Sequence, residues 1–321
     1  VIGETSRAAN WSIYGYNRNT NPELTKIKGL TAFSHVLTES NTTHKSVPML
    51  MSSVTAHDFN SIYRQKGIIT AFKEAGYRTA FFSNQRYNHS FIDFFGKEAD
   101  ICDFIKEDTG DGGYNPSDDE LLKLVATELA ENASKQFIVL HTYGSHFNYR
   151  ERYPADNAFF LPDFPVDAEL KYKDNLINAY DNSIRYTDNF LARLIRMLQE
   201  QDIDAAMLYT SDHGEDIFDD DRHLFLHASP VPSYYQIHVP FLIWMSDNYR
   251  KNYPDLFKNA EINRQKNISS SASFFQTMLE LGGIDTPSRN DSLSVINASY
   301  TEKNRVYLND HNEARSLNDI G

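Results

Sequence analysis

Short apolar runs rich in β-branched and aromatic residues alternate along this chain with segments of helical periodicity. The runs predicted as strands are residues 1–3, 77–83, 136–142, 205–210, 238–245 and 304–309. The segments predicted as helices are residues 61–75, 118–132, 168–201 and 271–281. Because strands that are apolar along their whole length are buried on both faces, the alternation predicts an α/β fold with a mostly parallel central sheet covered by helices on both faces.

Local signals support two of these helices. Ser117 and Glu120 have the spacing of a capping box and predict the start of the second helix. In the third helix, Leu176, Tyr180 and Ile184 belong to a set of apolar residues that recur at three- and four-residue steps. This pattern is typical of an amphipathic helix with one buried face.

Composition narrows the range of functions. The chain has 321 residues and a formal net charge of −13, so it offers no basic stripe for nucleic acid. No apolar run approaches the roughly 20 residues that span a bilayer. The single cysteine, Cys102, lies in an apolar run and is predicted to be an inert core residue. No repeat, low-complexity tract or linker interrupts the chain, and residues 1–321 are predicted to form one domain.

Polar side chains follow several of the predicted strands at the point where each strand ends. They are Glu4, the segment Ser83-Asn84-Gln85, His141, His146, Asp212 and His213. In a parallel sheet the carboxyl ends of the strands meet at one edge, where ligands bind. We therefore expect these side chains to converge.

Asp212 and His213 are adjacent, and adjacent side chains on a strand point to opposite faces. Beyond the strand end, where Gly214 permits a sharp bend, both can face one ion. Carboxylates with one imidazole suit Zn²⁺, and Mn²⁺ or Mg²⁺ less well. The alternative for each residue alone is a helix-capping aspartate and a hydrogen-bonded core histidine. Their grouping at several strand ends favours a metal site.

A second segment, residues 39–53, contains Pro48. Proline fits a helix only in its first turn, which predicts a helix start near residues 45–47. Thr43 would then lie just ahead of the helix, where backbone N–H groups and the helix dipole favour negative charge. The alternative is that Thr42 and Thr43 only cap the helix.

Five segments, taken in order, resemble a known family. They are VIGETSRAANWSIYGYNRNTNPEL from residue 1, NTTHKSVPM from residue 41, VLHTYGSH from residue 139 followed by RYP, NAYDNSIRYTDNFL from residue 178, and SDHGED from residue 211 followed by LH. Together they resemble the phosphoethanolamine transferases of the alkaline-phosphatase/sulfatase superfamily, which include lipid A-modifying and mobile colistin-resistance enzymes. The match extends from residue 1 to about residue 246.

The resemblance implies an alkaline-phosphatase/sulfatase-like fold and a catalytic zinc site, with the ligands Glu4, Thr43, Asp212 and His213. It implies that Thr43 is the nucleophile and that His146 and His227 bind the transferred phosphate. It also implies that Asn84 lines the substrate site.

The resemblance further implies a reaction and a location. Thr43 would take phosphoethanolamine from phosphatidylethanolamine and pass it to lipid A, a core sugar or another envelope glycan. An N-terminal membrane domain would precede residue 1 and hold the catalytic domain at the periplasmic face of the bacterial inner membrane. We expect a monomer that does not bind nucleic acid.

Three features depart from the family pattern. Members of the family usually have several disulfides, which a chain with one cysteine cannot form. The segment HFNYRERYP begins at His146, where the family commonly has Gly-Pro after this histidine. The segment RYNHSFIDFF, residues 86–95, replaces a cysteine-bounded segment of the family, so that the family's substrate-contacting lysine cannot be mapped onto this sequence.

Other polar residues near the motifs have less support. His141 is either a residue that supports the metal ligands or a core histidine, and the sequence leaves this open. His227 has the alternative of a turn histidine, and His223 is predicted to be solvated. The run 219–221 is predicted to be a solvated acidic turn rather than a second metal site.

Three alternative functions have less support in the sequence. Sulfatases need a Cys or Ser in a C/S-x-P-x-R segment, and Cys102 lies in ICDFI, which lacks it. Glycerol-phosphate polymer synthases share the same metal-ligand types, but the GETSRA and SVPM segments resemble the phosphoethanolamine branch. A catalytically inactive envelope binding protein would typically have lost a ligand, and here each ligand type is present.

Overall fold

The computed structural model of the chain describes residues 1–106 and 115–320. The strands are β1 Ile2–Gly3, β2 Leu30–Ala32, β3 His35–Leu37, β4 Arg78–Ser83, β5 Ile101–Phe104, β6 Gln136–His141, β7 Ala206–Ser211, β8 Asp216–Ile217, β9 Phe225–Leu226, β10 Phe241–Met245, β11 Asn267–Ser269, β12 Val306–Leu308 and β13 Ala314–Ser316. The α-helices are α1 Thr43–Leu50, α2 Ile68–Glu74, α3 Phe91–Gly96, α4 Asp119–Ala130, α5 Lys173–Gln199, α6 Tyr234–Ile237, α7 Asp247–Asn252, α8 Pro254–Asn263 and α9 Ser270–Leu281.

The central sheet has the strand order β2-β10-β7-β1-β6-β4-β5. The five strands from β7 to β5 are parallel to their neighbours, whereas β10 and β2 extend the sheet in antiparallel fashion. The predicted mostly parallel sheet is therefore confirmed. β1 lies in the middle, between β7 and β6, which places Glu4 at the centre of the strand-end edge.

Helices cover both faces of this sheet, as predicted. Side chains of β4 alternate between the faces: Phe81 packs in one apolar core, and Phe82 packs in the other. The first core includes α1, α2 and α9, and the second includes α4 and α5. In α5 the predicted apolar stripe is buried.

Several predicted elements have different bounds or places. The helix predicted over residues 61–75 is split into a 3-10 helix, Ala56–Arg64, and α2. The strand predicted over residues 304–309 pairs with β13 in a separate hairpin and lies outside the central sheet. The sequence analysis missed β2 and β5, which are the two short edge strands of the central sheet. Cys102 lies on β5 and is half-buried.

Two predicted helix starts were wrong. α1 begins at Thr43, two residues before the predicted range, and Pro48 lies inside it rather than in its first turn. Because proline lacks an N–H group, the helix gives up one backbone hydrogen bond there. The capping box at α4 was also wrong: Asp118 is the N-cap, and its carboxylate accepts hydrogen bonds from the backbone N–H groups of Tyr143 and Gly144. That carboxylate ties the start of α4 to the loop after β6.

Candidate active site

The loops after β1 and β7 bring three metal-capable side chains together. Residue Gly3 pairs with Ser211 in the sheet register, so that Glu4 and Asp212 leave neighbouring strands at the same level. Glu4, Asp212 and His213 are buried, and one potential ligand atom from each lies within 4.8 Å of the others. The Nε2 atom of His213 lies 3.3 Å from Glu4 Oε1 and 3.4 Å from Asp212 Oδ2. The strand ends therefore converge on one point.

Gly214 makes this arrangement possible through close packing. A Cβ atom at residue 214 would lie 2.1 Å from the carbonyl oxygen of Tyr235. The N–H of Gly214 donates to the carbonyl of Gln236 at 2.8 Å. The backbone beyond His213 is thus held against the segment before β10, and a side chain at this position would push it away.

Thr43 completes the cluster from the other side. Its Oγ1 lies 3.2 Å from both carboxylate oxygens of Glu4 and 3.1 Å from Nε2 of His213. Thr43 is the first residue of α1, so that the free N–H groups and the positive end of the helix dipole face the same region. An anion attached to the Thr43 oxygen would be stabilised there.

The charges in the cluster are strongly coupled. Burial alone would raise the pKa of the Glu4 carboxyl, but the hydrogen bond and charge of His213 hold it well below its usual range. Burial and the neighbouring Glu4 carboxylate raise the pKa of Asp212 to about 7. Burial alone would lower the pKa of His213, but the carboxylates of Asp212 and Glu4 raise it to about 10. These shifts indicate a buried site that requires a positive charge between its carboxylates.

A metal cation fits this requirement. Asp212 Oδ2 is buried, and it has no hydrogen-bond partner among residues 1–106 and 115–320. A buried carboxylate oxygen without a partner is costly unless a cation binds it. Two carboxylates, one imidazole and one hydroxyl form a donor set that suits zinc.

Gln85 supports this cluster; the sequence analysis placed it among the converging strand-end residues but gave it no role. Its Nε2 donates to Glu4 Oε2 at 2.9 Å and to the carbonyl of Thr142 at 3.1 Å. The neighbouring Asn84 is buried, and its amide donates to the carbonyl of Pro116 and to Asp118. Gln85 therefore lines the cavity after β4. Asn84, which the resemblance assigned to the substrate site, instead contacts the start of α4.

His146 and His227 lie next to the cluster, with their ring centroids 6.5 Å apart. The ring of His227 is centred 4.1 Å from that of His213, and its Nδ1 lies 3.1 Å from Glu215 Oε2. The Nδ1 of His146 lies 2.6 Å from the carbonyl oxygen of Phe147. Because Nδ1 is engaged in each ring, Nε2 is the nitrogen left for a ligand.

Two further histidines contribute to the same site. His141 is fully buried, and its Nε2 has no partner within the described part of the chain, while Nδ1 lies 3.4 Å from Ser83 Oγ. Burial lowers the pKa of His141 to about 4, so that the ring is neutral near pH 7. His44, in the first turn of α1, is exposed, and partial desolvation lowers its pKa as well.

The cluster forms one end of a cavity of about 290 Å³. Its walls include Glu4, Thr42, Thr43, His44, Gln85, Arg86, Asn88, Ile92, Asp93, Phe104, His141, His146, His227 and Ala228. The cavity therefore brings together a buried cluster that can bind a cation, the hydroxyl of Thr43 at a helix N-terminus and several histidine rings. These groups can hold a phosphate ester and exchange a substituent on its phosphorus.

The acidic run after His213 differs from the prediction. Asp219 is not solvated: its Oδ2 forms an ion pair with Arg7 Nη1 at 2.6 Å, and both side chains are nearly buried. Asp220 pairs with Arg222 on the surface, and His223 is exposed, as predicted. Asp219 therefore holds the loop that leads from His213 to His227.

Comparisons with known proteins agree with this geometry. A model of the sulfatase family matches residues 1–284. The Kdo(2)-lipid A phosphoethanolamine 7''-transferase of Escherichia coli strain K12 is 31% identical over 273 residues, covering 84% of this chain and 47% of the relative. The chain spans about half the length of the curated relatives it matches.

Solved structures have the same fold. The C-terminal periplasmic domain of EptC from Escherichia coli, in complex with Zn, has a TM-score of 0.89 at 24% identity, covering 99% of this chain and 91% of that chain. The integral membrane protein lipooligosaccharide phosphoethanolamine transferase A from Neisseria meningitidis has a TM-score of 0.80 at 26% identity, covering 92% of this chain and 56% of that chain. In residues 1–106 and 115–320 no helix is long and apolar enough to cross a bilayer.

Proposed function

Because this chain belongs to the sulfatase family, we propose that it transfers phosphoethanolamine from phosphatidylethanolamine to an envelope acceptor, with Thr43 as the nucleophile. The observation that carries the proposal is the position of Thr43 Oγ1, within 3.2 Å of Glu4 and 3.1 Å of His213 at the start of α1. The acceptor would be lipid A, a core sugar or another envelope glycan. The names of the relatives, which are phosphoethanolamine transferases, support this choice among phosphate transfers.

Zinc is the proposed cofactor, with Glu4, Thr43, Asp212 and His213 as its ligands. Bound there, zinc would favour the ionised form of the Thr43 hydroxyl, as it lowers the pKa of bound water from about 15.7 to about 7. The unpartnered Asp212 Oδ2 supports a cation at this point. The zinc complex of the EptC domain, which has the same fold, supports the choice of metal.

The proposed reaction has two steps. In the first, Thr43 Oγ1 loses its proton and forms a bond to the phosphorus, while the bond from phosphorus to the glycerol oxygen breaks. Diacylglycerol leaves with a proton on that oxygen, and a phosphoethanolamine ester remains on Thr43. In the second, an oxygen of the acceptor bonds to the phosphorus while the bond from phosphorus to Thr43 Oγ1 breaks, and that oxygen takes up a proton to restore the hydroxyl.

The neighbouring side chains have distinct roles in this scheme. His146 and His227 would donate hydrogen bonds to the phosphate oxygens or a proton to the leaving oxygen. Gln85 holds the Glu4 carboxylate in place through its 2.9 Å hydrogen bond. The N-terminus of α1 faces the phosphate with its free N–H groups. Together they favour the negative charge that spreads over the phosphate oxygens.

Relatives also suggest where the reaction takes place. The matched structures are a periplasmic domain and an integral membrane protein. We propose that this chain is the periplasmic catalytic domain of a protein anchored in the inner membrane, that residues 1–321 form a single domain, and that it acts as a monomer. The lipid donor would then be supplied by the adjacent bilayer.

Mass spectrometry of Thr43 tests the function directly. After incubation of the zinc-loaded chain with phosphatidylethanolamine, the peptide that contains Thr43 should gain the mass of one phosphoethanolamine group. Thr43→Ala should remain unmodified, whereas Thr42→Ala should be modified like the wild type. A glycerophosphate mass on Thr43, obtained with phosphatidylglycerol instead, would assign the glycerol-phosphate activity. An unmodified wild-type chain with zinc bound would contradict the proposal.

A further inference from the structure

One wall of the cavity is built by the segment RYNHSFIDFF, residues 86–95, together with the end of β5. Arg86, Asn88, Ile92 and Asp93 of this segment line the cavity, as does Phe104. α3 packs against α1, so that this wall stands beside the helix that begins at Thr43. The proposed transfer chemistry gives no role to any of these side chains.

Asp93 is the notable member of this wall. Its side chain lies in the first turn of α3 and is only 3% exposed. Its Oδ2 accepts a hydrogen bond from the N–H of Asn88 at 2.8 Å. Among the described residues, the acidic side chains that line the cavity are Glu4 and Asp93, and Glu4 belongs to the metal-capable cluster.

A carboxylate that lines a cavity while it is almost inaccessible to solvent favours a cationic ligand group. Its desolvation is costly unless a positive charge or several hydrogen bonds compensate it. The backbone hydrogen bond from Asn88 and the nearby positive charge of Lys97 contribute to this compensation, and a ligand cation would add to it. Phe104, whose side chain lines the same cavity, adds a surface to which an ammonium group is attracted.

The cavity as a whole therefore matches a zwitterion. Imidazoles and the N-terminus of α1 line the cavity at the position proposed for a phosphate, and Asp93 supplies a negative charge on the wall that α3 forms. We infer that Asp93 binds the ammonium group of the phosphoethanolamine headgroup and so selects the donor lipid. This inference rests on the proposed function for the phosphate end of the ligand, and it assigns the other end.

Binding of two soluble probes tests the assignment without any turnover. O-phosphoethanolamine and ethyl phosphate share the phosphate and differ in the ammonium group. The zinc-loaded wild-type chain should bind O-phosphoethanolamine at least about tenfold more tightly than ethyl phosphate, as expected for one hydrogen bond to a charged group in a cavity. Titration calorimetry measures both affinities.

Asp93→Asn is the informative variant because the amide oxygen can still accept the hydrogen bond from Asn88. The preference for O-phosphoethanolamine should fall to near unity, while the affinity for ethyl phosphate stays at the wild-type value. Asp93→Glu should restore part of the preference. Asp103→Asn, which removes an exposed negative charge from β5, controls for the change in net charge and should keep the wild-type preference.

The same variants separate this inference from the proposed function. Transfer from phosphatidylethanolamine should show a KM raised by at least about tenfold in Asp93→Asn, with kcat changed less. An unchanged probe preference in a folded Asp93→Asn chain would overturn the inference, whether or not the wild type transfers phosphoethanolamine. If Asp93→Asn loses the preference for O-phosphoethanolamine but the wild type does not become modified at Thr43, the ammonium site is retained and the transferase function is rejected.

Discussion

Oε2 of Glu215 lies 3.1 Å from Nδ1 of His227, and Glu215 is fully buried. The hydroxyl of Tyr149 donates a hydrogen bond to the other oxygen of the same carboxylate. A carboxylate that accepts from Nδ1–H fixes the tautomer and the orientation of the ring, with Nε2 directed to the ligand. The loop that follows His146 thus contacts, through Tyr149 and Glu215, the second histidine of the proposed phosphate site.

Removal of the Glu215 carboxylate should slow the reaction without removing the metal. We expect Glu215→Ala to lower kcat/KM by about 10- to 100-fold, the range seen when residues that orient such groups are removed. Glu215→Gln should recover part of this loss because its amide oxygen can accept from His227 Nδ1–H. Zinc content, measured in parallel, should equal that of the wild type. Wild-type kinetics in the alanine variant would show that His227 needs no such support.

Zinc binding should stabilise the fold through Asp212. At a free zinc concentration 100-fold above its dissociation constant, binding adds about 2.7 kcal/mol to the free energy of unfolding. The melting temperature of the wild type should rise accordingly, and chelation should reverse the rise. Asp212→Ala should show neither change, while Asp220→Ala, at an exposed position, should behave like the wild type. Full zinc occupancy in Asp212→Ala would remove this residue from the ligand set.

Replacement of Asp219 by alanine should lower the free energy of unfolding much more than replacement of Asp221. Asp219→Ala leaves the buried Arg7 without its ion-pair partner, although the hydrogen bonds to Asn10 and to the carbonyl of Glu215 remain, and loss of one member of a buried ion pair typically costs about 3–5 kcal/mol. Asp221→Ala removes an exposed carboxylate and should change the free energy of unfolding by less than about 0.5 kcal/mol. Urea unfolding of the two variants measures the difference. Equal stabilities would mean that the Arg7–Asp219 pair is compensated by water.

Predictions from the sequence succeeded where a single physical rule applied. Strand ends in a parallel sheet share one edge, and this rule alone predicted that Glu4, Asp212 and His213 would converge. Thr43 required the resemblance to a family as well, since its helix was predicted to begin two to four residues later. The ligand roles of these residues remain predictions until metal content is measured.

Other features depended on contacts between distant segments. Which of Asn84 and Gln85 faces the cavity depends on the local path after β4, because successive side chains point in opposite directions. The support of His227 by Tyr149 and Glu215 joins loops that are 66 residues apart, and no local pattern indicates it. The pairing of Asp219 with Arg7 spans 212 residues and turns an apparently solvated run into a buried contact. Sequence periodicity carries no signal for such pairs.

Asp188 gives the fold a specific dependence on pH. This carboxylate on α5 is fully buried and accepts the N–H groups of Glu23 and Leu24 at 3.0 Å each. Burial raises its pKa to about 6, above the value of about 3.9 in an unfolded chain. Between these values the folded state binds more protons than the unfolded state, so that the contribution of Asp188 to stability falls as the pH rises from about 4 to 6.

The expected change is about 3 kcal/mol across this range, as given by a shift of about two pKa units. The unfolding free energy of the wild type minus that of Asp188→Asn should therefore fall by that amount from pH 4 to pH 7. Asp174→Asn, at an exposed position of the same helix, should differ from the wild type by a constant amount. Urea unfolding at each pH provides the measurement, and a pH-independent difference for Asp188→Asn would mean that this carboxyl is ionised throughout.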